Sequence, residues 1–322
     1  MDQLLSGTAF AFLIPYVYLA AGLLVLIICG NWLVTGSVQL ARYLKISTLV
    51  VGLTIVAYVT SAPEMFISVG AALENAHDIA LGNVIGSNIA NIGCILAIVV
   101  IISPIPIRNA AIGFDYFVMF FVTLLVFVFG YNGTIGFFEG FIFVSILVVY
   151  TVWSVMKSKK TAQTKITEPA TMKPIIAILI IAAAVVGLYF SSGWFVKGAK
   201  EIALQWGVSE RVIAVSIVAV GTSTPELISS LIAAFRKEAD LSIGNIIGSN
   251  FFNIAGVLGV TTVVSPIKIV NHNLFVTDML WLFGITIMLL LVMVPLSKGK
   301  INRWEGVILI LIFGAYMFTL YR

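Results

Sequence analysis

The stretch Ala57-Tyr58-Val59-Thr60-Ser61-Ala62-Pro63-Glu64 returns later in the chain as Ala219-Val220-Gly221-Thr222-Ser223-Thr224-Pro225-Glu226. Each copy sets neighbouring Thr and Ser hydroxyls, a proline and one carboxylate inside a run that is otherwise apolar for the depth of a membrane. Burying a charge in hydrocarbon costs roughly 2.5 kcal/mol or more, so an acid placed there marks a functional site by default. Chance explains the same arrangement poorly when it occurs twice. The pair reads as the two halves of one cation site.

The setting of these octets is set by composition. Of 322 residues, 61% are hydrophobic and only 10% charged, and the mean hydropathy is +1.12. Soluble domains carry about 25% charged residues, so this is an integral membrane protein, with the lipid bilayer as its first partner. The apolar runs are long and continuous, not alternating with period two, which favours helices over a barrel. The net charge of +4 gives no reason to expect nucleic acid. Cys29 and Cys94 lie in separate apolar runs, too few and too far apart for a disulfide scaffold or a cysteine metal site. Met1-Asp2-Gln3 offers no basic n-region, so no cleaved signal peptide is expected.

At about 20 residues per span, helices fall near 10–40, 46–73, 79–102, 111–130 and 135–156. A second set falls near 174–203, 210–235, 241–264, 273–295 and 303–321. A shift of 162 residues superimposes Trp32 on Trp194, Gly36 on Gly198, Ser47 on Ser209, Glu64 on Glu226, Ser68 on Ser230 and Asp78 on Asp240. It also aligns Gly82-Asn83-Val84-Ile85-Gly86-Ser87-Asn88 with Gly244-Asn245-Ile246-Ile247-Gly248-Ser249-Asn250, and Ser103-Pro104 with Ser265-Pro266. Further on the offset drifts to 166, pairing Glu139-Gly140 and Tyr150 with Glu305-Gly306 and Tyr316. A repeat of this kind decides the architecture. The expected fold is an all-α membrane protein of about ten transmembrane helices: residues 1–156 form a first five-helix repeat, 157–173 a short linker, and 174–322 a second repeat.

An odd number of spans per repeat inverts the second against the first. Positive charge tests the orientation. With the N-terminus outside, the cytoplasmic loops hold Arg42, Lys45, Arg108, the lysines from Lys157 to Lys173, Arg236, Lys237, Lys298, Lys300 and Arg303, most of the 18 Lys and Arg. The expectation is a multi-pass protein of the cell membrane with both termini outside and the linker in the cytoplasm.

Proline lacks a backbone donor and clashes with the preceding turn, so each octet should break its helix. The break should free carbonyls from Ala57 to Thr60 and from Ala219 to Thr222, which a bilayer tolerates only where something satisfies them. Broken helices meeting at the midplane of inverted repeats are the usual site of secondary transporters. The donor set is hard oxygen: Glu64, Glu226, carbonyls, and Thr and Ser hydroxyls. Such oxygen suits Ca²⁺ and Na⁺, and without Cys or His it argues against zinc or copper. His77 and His272 sit at loop ends and read as solvated. Glu64 and Glu226 carry two negative charges, which one Ca²⁺ or several Na⁺ would neutralise, and competition for the same oxygens is enough for exchange. Two carboxylates held close repel each other when no ion lies between them, so protons should compete as well. Ser87 and Asn91 are spaced i, i+4 on one helix face, as are Ser249 and Asn253. The glycines of these segments read as close helix contacts. Asn83, Asn88, Asn245 and Asn250 read equally well as packing. Glu139 and Glu305 open the last helix of each repeat, where a carboxylate favours the N-terminus, and Asp115 and Asp278 follow the Ser-Pro turns.

On these motifs the chain resembles the cation/Ca²⁺ exchanger superfamily, in particular its compact prokaryotic Na⁺/Ca²⁺ exchangers. The Gly-Thr-Ser-x-Pro-Glu of residues 221–226 and the Gly-Asn-x-x-Gly-Ser-Asn that follows carry the likeness, which extends over nearly the whole chain. The resemblance implies Ca²⁺ held by Glu64 and Glu226 with the carbonyls of Thr60 and Thr222. It implies Na⁺ sites from Ala57, Thr60, Ser61, Ser87 and Glu226 on one side and from Ala219, Thr222, Ser223, Ser249 and Glu64 on the other, with Asn91 and Asn253 lining the centre. The first helix of each repeat would slide across the other eight as a gate. No prosthetic cofactor is implied, only transported Ca²⁺ and Na⁺ or H⁺, and a monomer is expected. Two departures stand out: Val59 replaces a glycine, and Asn253 stands where some members, including K⁺-dependent ones, have aspartate. The function expected is Na⁺/Ca²⁺ antiport. H⁺/Ca²⁺ or Mn²⁺ exchange on the same fold is the alternative, while an intramembrane hydrolase or a passive channel explains the doubled oxygen set less well.

Overall fold

A computed structural model describes residues 11–106, 111–162, 169–207, 221–293 and 300–320. Helix α1 spans Ile14–Leu44. A broken span follows, α2 Thr48–Thr60 and α3 Ala62–Leu73, bent by 46°. Then come α4 His77–Ile102, α5 Ala111–Gly130 and α6 Phe137–Ala162. The second series is α7 Pro174–Gln205, α8 Thr224–Phe235, α9 Ala239–Val264, α10 His272–Met293 and α11 Arg303–Leu320. Among the described residues eight helices are long and apolar enough to span a membrane, nine with α2 and α3 taken as one. Of the span expected over 210–235, residues 221–235 are described and hold α8; residues 210–220, including Ala219, lie outside the described residues. Helix α6 runs past 156 to Ala162, into the segment read as linker, and ends on Lys159 and Lys160, cations that complement a helix C-terminus.

The first span breaks at Ser61 (φ −87°, ψ 9°), and the second copy turns likewise at Ser223 (φ −90°, ψ 14°). Pro63 and Pro225 therefore open the helices after the turn, in the first-turn position where a missing N–H is harmless. Three wide π-helical turns, Gly52–Val56, Asn91–Leu96 and Asn253–Leu258, lie in α2, α4 and α9. Nothing in the hydrophobic pattern announced them.

Helices α4 and α9 are the centre of the molecule, 78% and 89% buried along their apolar stretches. Helices α2 and α9 cross with backbones in contact: a Cβ on Gly52 would lie 2.6 Å from the Leu241 carbonyl oxygen, and one on Gly244 would lie 2.6 Å from that of Leu49. Short two-residue strands tie connections of the two series. β1 (Ile105–Pro106) pairs antiparallel with β4 (Lys300–Ile301), and β2 (Thr134–Ile135) with β3 (Ile267–Lys268). Other contacts also come in repeat-related pairs. Gly36 of α1 meets Ala177 and Ile181 of α7, and Gly198 of α7 meets Pro15 and Leu19 of α1.

Helices α1 and α7 lie against one another and share an apolar cluster of their own, including Leu26, Leu33, Ala177, Ile181 and Ala184. It joins the rest through Val50 and Val51 of α2 and Ile228 and Ile232 of α8. A second, larger core unites α4, α5, α6, α9, α10 and α11. The Glu139 carboxylate accepts from the Gly136 N–H at 3.0 Å and Glu305 accepts from Asn302 N–H, the helix-start role expected of both. Asp115 is more than a helix-start charge, since it accepts from the Tyr150 hydroxyl at 2.7 Å inside the core.

Candidate cation site

The two breaks bring their side chains together crosswise. Ser61 donates to Glu226 Oε1 at 2.8 Å, and Ser223 donates to Glu64 Oε1 at 3.1 Å. The Thr222 hydroxyl also approaches the Glu64 carboxylate, and that of Thr60 approaches Glu226. Glu64 and Glu226 are each 1% exposed. The second oxygen of each, Oε2, has no hydrogen-bond partner among the described residues. A carboxylate oxygen left so in a dry interior would be costly, unless a cation completes its surroundings.

Helices α4 and α9 supply the walls. Asn253 donates to Ser87 Oγ at 3.0 Å, joining the two series again. The repeat-related pair, Asn91 and Ser249, is not closed in this way: both amide atoms of Asn91 and the Ser249 hydroxyl are buried without a hydrogen-bond partner among the described residues, as is Asn253 Oδ1. Thr60, Ser61, Ser223, Asn91, Asn253, Ser249, Ser87 and Ala57 are all buried, and Thr222 is half-buried. Eleven of the twelve residues singled out in the sequence thus belong to described structure; Ala219 is outside it. Among the described residues no third His, Cys, Asp or Glu joins the two carboxylates in a group able to hold a metal.

One expectation needs correction. The carbonyl of Ala57 is not freed by the break: it accepts from Ser61 N–H at 3.0 Å and lies 3.3 Å from the Thr60 hydroxyl. That of Gly221 accepts from Ser192 of α7 at 2.8 Å. Asn83 and Asn245, which read equally well as packing or as site residues, bond to the backbone that carries the two acids. Asn83 donates to the Glu64 carbonyl (3.1 Å) and to Ser68 Oγ (2.9 Å). Asn245 donates to Ser230 Oγ (2.8 Å), Ser229 Oγ (2.9 Å) and the Glu226 carbonyl (3.4 Å), and accepts from Thr60 at 3.4 Å. The signal was present in the exact match of Asn83 to Asn245 and Ser68 to Ser230, but side-chain type alone does not say which carbonyl an amide will cap. Asn88 and Asn250 bond back to Val84 and Ile246 within their own helices, a packing role.

Beside Thr60 a cavity of about 360 Å³ opens between α3 and α7, lined by Val59, Pro63, Phe66, Val185, Tyr189 and Pro225 among others. The repeat-related contact is shut, with Ile228 and Ile232 of α8 pressed against Gly30 of α1.

The profile of the family described as "Sodium/calcium exchanger protein" matches residues 14–156 and 176–322. The chain belongs to the sodium/calcium exchanger family. A solved structure of the sodium-calcium exchanger NCX_Mj superimposes on this exchanger with a TM-score of 0.80 at 31% identity, covering 95% of this chain and 98% of that one. The "Sodium/calcium exchanger MaX1" of Methanosarcina acetivorans is 28% identical over 96% of this chain and 99% of its own length. The "Uncharacterized membrane protein MJ0091" of Methanocaldococcus jannaschii is 31% identical over 92% and 94%. This exchanger is accordingly a multi-pass membrane protein of the cation/Ca²⁺ antiporter class and not an enzyme.

Proposed function

We propose that the chain exchanges Na⁺ for Ca²⁺ by alternating access, the two ions competing for Glu64 and Glu226. The observation that carries this is the crosswise Ser61–Glu226 and Ser223–Glu64 pairing, which leaves one oxygen of each acid uncommitted. Ca²⁺ takes about 6–8 hard oxygen ligands. Two carboxylates, the carbonyls of Thr60 and Thr222 and nearby hydroxyls form such a set, while Na⁺ would use Ser61, Ser87 and the Ala57 region on one side and Ser223, Ser249 and the Ala219 region on the other. Asn91 and Asn253 would line the middle.

Residues 1–156 and 174–322 act as the two inverted halves, with termini outside and residues 157–173 in the cytoplasm. In that orientation α3 is the outer half of its span and α8 the inner half of its own. The cavity at α3 with the closed contact at α8 then fits a state open to the outside. Sliding α1 and α7 together would close the first gap and part the second. All the ligands come from one chain, so a monomer suffices.

The test is Ca²⁺ flux into proteoliposomes with Na⁺ and pH gradients imposed separately. Flux that follows the Na⁺ gradient supports the proposal. Flux that follows only the pH gradient would favour the second reading, H⁺/Ca²⁺ or Mn²⁺ exchange, which Val59 and Asn253 keep in view. Flux without any counter-ion would mean a channel.

A further inference from the structure

Tyr58 sits between Ala57 and Thr60 on the last turn of α2, and nothing in the proposed ligand set uses it. Its hydroxyl lies 2.5 Å from Thr151 Oγ1 on α6. Thr151 has a single hydroxyl proton, and that proton goes to the Leu147 carbonyl at 2.7 Å. With that bond made, the phenol is the donor to Thr151. The Tyr58 ring also stacks on Phe252 (centroids 4.4 Å apart, planes at 23°), the residue directly before Asn253. One side chain thus pins the turn that carries Ala57 and Thr60 both to the fixed helix α6 and to the start of the wide turn in α9. The repeat-related residues are Val220, which lies outside the described residues, and Met317. Neither offers a hydroxyl, so the second octet has no such polar bond by sequence alone.

We propose that Tyr58, through Thr151, is a positioning residue that sets the geometry of the Ala57–Thr60 side of the ion site and so tunes Na⁺ against Ca²⁺ on that side only. This rests on the site assignment above. Na⁺ is the more sensitive ion because its ligands on this side are concentrated on the Ala57–Thr60 turn and Ser61, whereas Ca²⁺ is held chiefly by the two carboxylates. A helix turn freed from α6 should relax by tenths of an ångström, enough to alter a shell of short oxygen contacts.

The chemistry separates positioning from plain stability. Tyr58→Phe removes the donor and leaves Thr151 with its own bond intact. Thr151→Val leaves the phenol proton with no acceptor and no water in a membrane interior, which is the costlier error. The double variant removes both ends and should regain stability. Thermal melts in detergent should therefore rank Thr151→Val lowest, with Tyr58→Phe and the double variant close to the parent protein. The half-saturating Na⁺ concentration should follow a different order. It should shift in all three variants alike, by roughly threefold to tenfold, the range one hydrogen bond of ordinary net strength allows, with a smaller shift for Ca²⁺. Maximal flux per folded molecule should change less than either. A Na⁺ dependence that tracks the melting order, or that does not move in Tyr58→Phe, overturns the proposal. Glu64→Gln is run alongside. Full activity in that variant would overturn the site assignment itself, whereas an inactive Glu64→Gln beside an unshifted Tyr58→Phe would overturn the role of Tyr58 alone.

Discussion

Glu64 and Glu226 each have one oxygen committed to the opposite serine and one without a hydrogen-bond partner among the described residues. Changing either to Gln keeps the shape and removes the charge, and is expected to abolish Na⁺-dependent Ca²⁺ uptake in proteoliposomes while size-exclusion profiles stay those of folded protein. Retained uptake in either variant would remove the carboxylates from the site. The serines should behave as equivalents. Ser61→Ala and Ser223→Ala each delete one bond to a carboxylate, worth about 1.5–3 kcal/mol for a charged partner, so both should weaken apparent ion affinity by comparable factors in calorimetric titration. A large effect from one and none from the other would show that the crosswise symmetry is not used. At Asn253, whose Oδ1 is buried without a partner, substitution by Asp adds a third acid to the pair. The variant should acquire a changed pH or K⁺ dependence of flux, and an unaltered profile would put this side chain outside the ion shell.

Helix crossings carry the next level. Because Gly244 meets the Leu49 carbonyl where a Cβ would need to be, Gly244→Val should cost about 1–3 kcal/mol through overpacking and lower the melting temperature in detergent. Gly284, exposed on α10 with nothing within 4 Å of the position a Cβ would take, is the control. Gly284→Ala should be neutral or slightly stabilising, since Gly is a weak helix former. Much of this level could be read in advance. Apolar runs gave the described spans, with α6 running past its expected end to Ala162, and the 162-residue offset paired the two octets, their serines and Asn83 with Asn245. The π-helical turns could not be read, because one extra residue in a turn leaves an all-apolar helix pattern unchanged. Nor could the retained bond to the Ala57 carbonyl, which depends on where between Thr60 and Pro63 the chain chose to bend. Hydrophobic periodicity tells which face is buried. It is silent on which donor finds which acceptor, and so the Tyr58–Thr151 bond appeared only in three dimensions.

For the whole molecule, the charge moved per cycle is the decisive quantity. If more than two Na⁺ enter for each Ca²⁺ expelled, an inside-negative potential contributes about 2.3 kcal/mol per net charge per 100 mV. Ca²⁺ export from oriented vesicles should then accelerate as that potential is made more negative, and a rate indifferent to voltage would mean electroneutral exchange. The reciprocal serine–glutamate bonds have one more consequence, for how such a chain could be made. Synthesised alone, either half of the chain would lack the serine that reaches its acid from the other half. With the halves inverted as proposed, a product of one half alone would reach that pairing only by inserting both ways up, and joining the halves in a single polypeptide makes the partnership permanent.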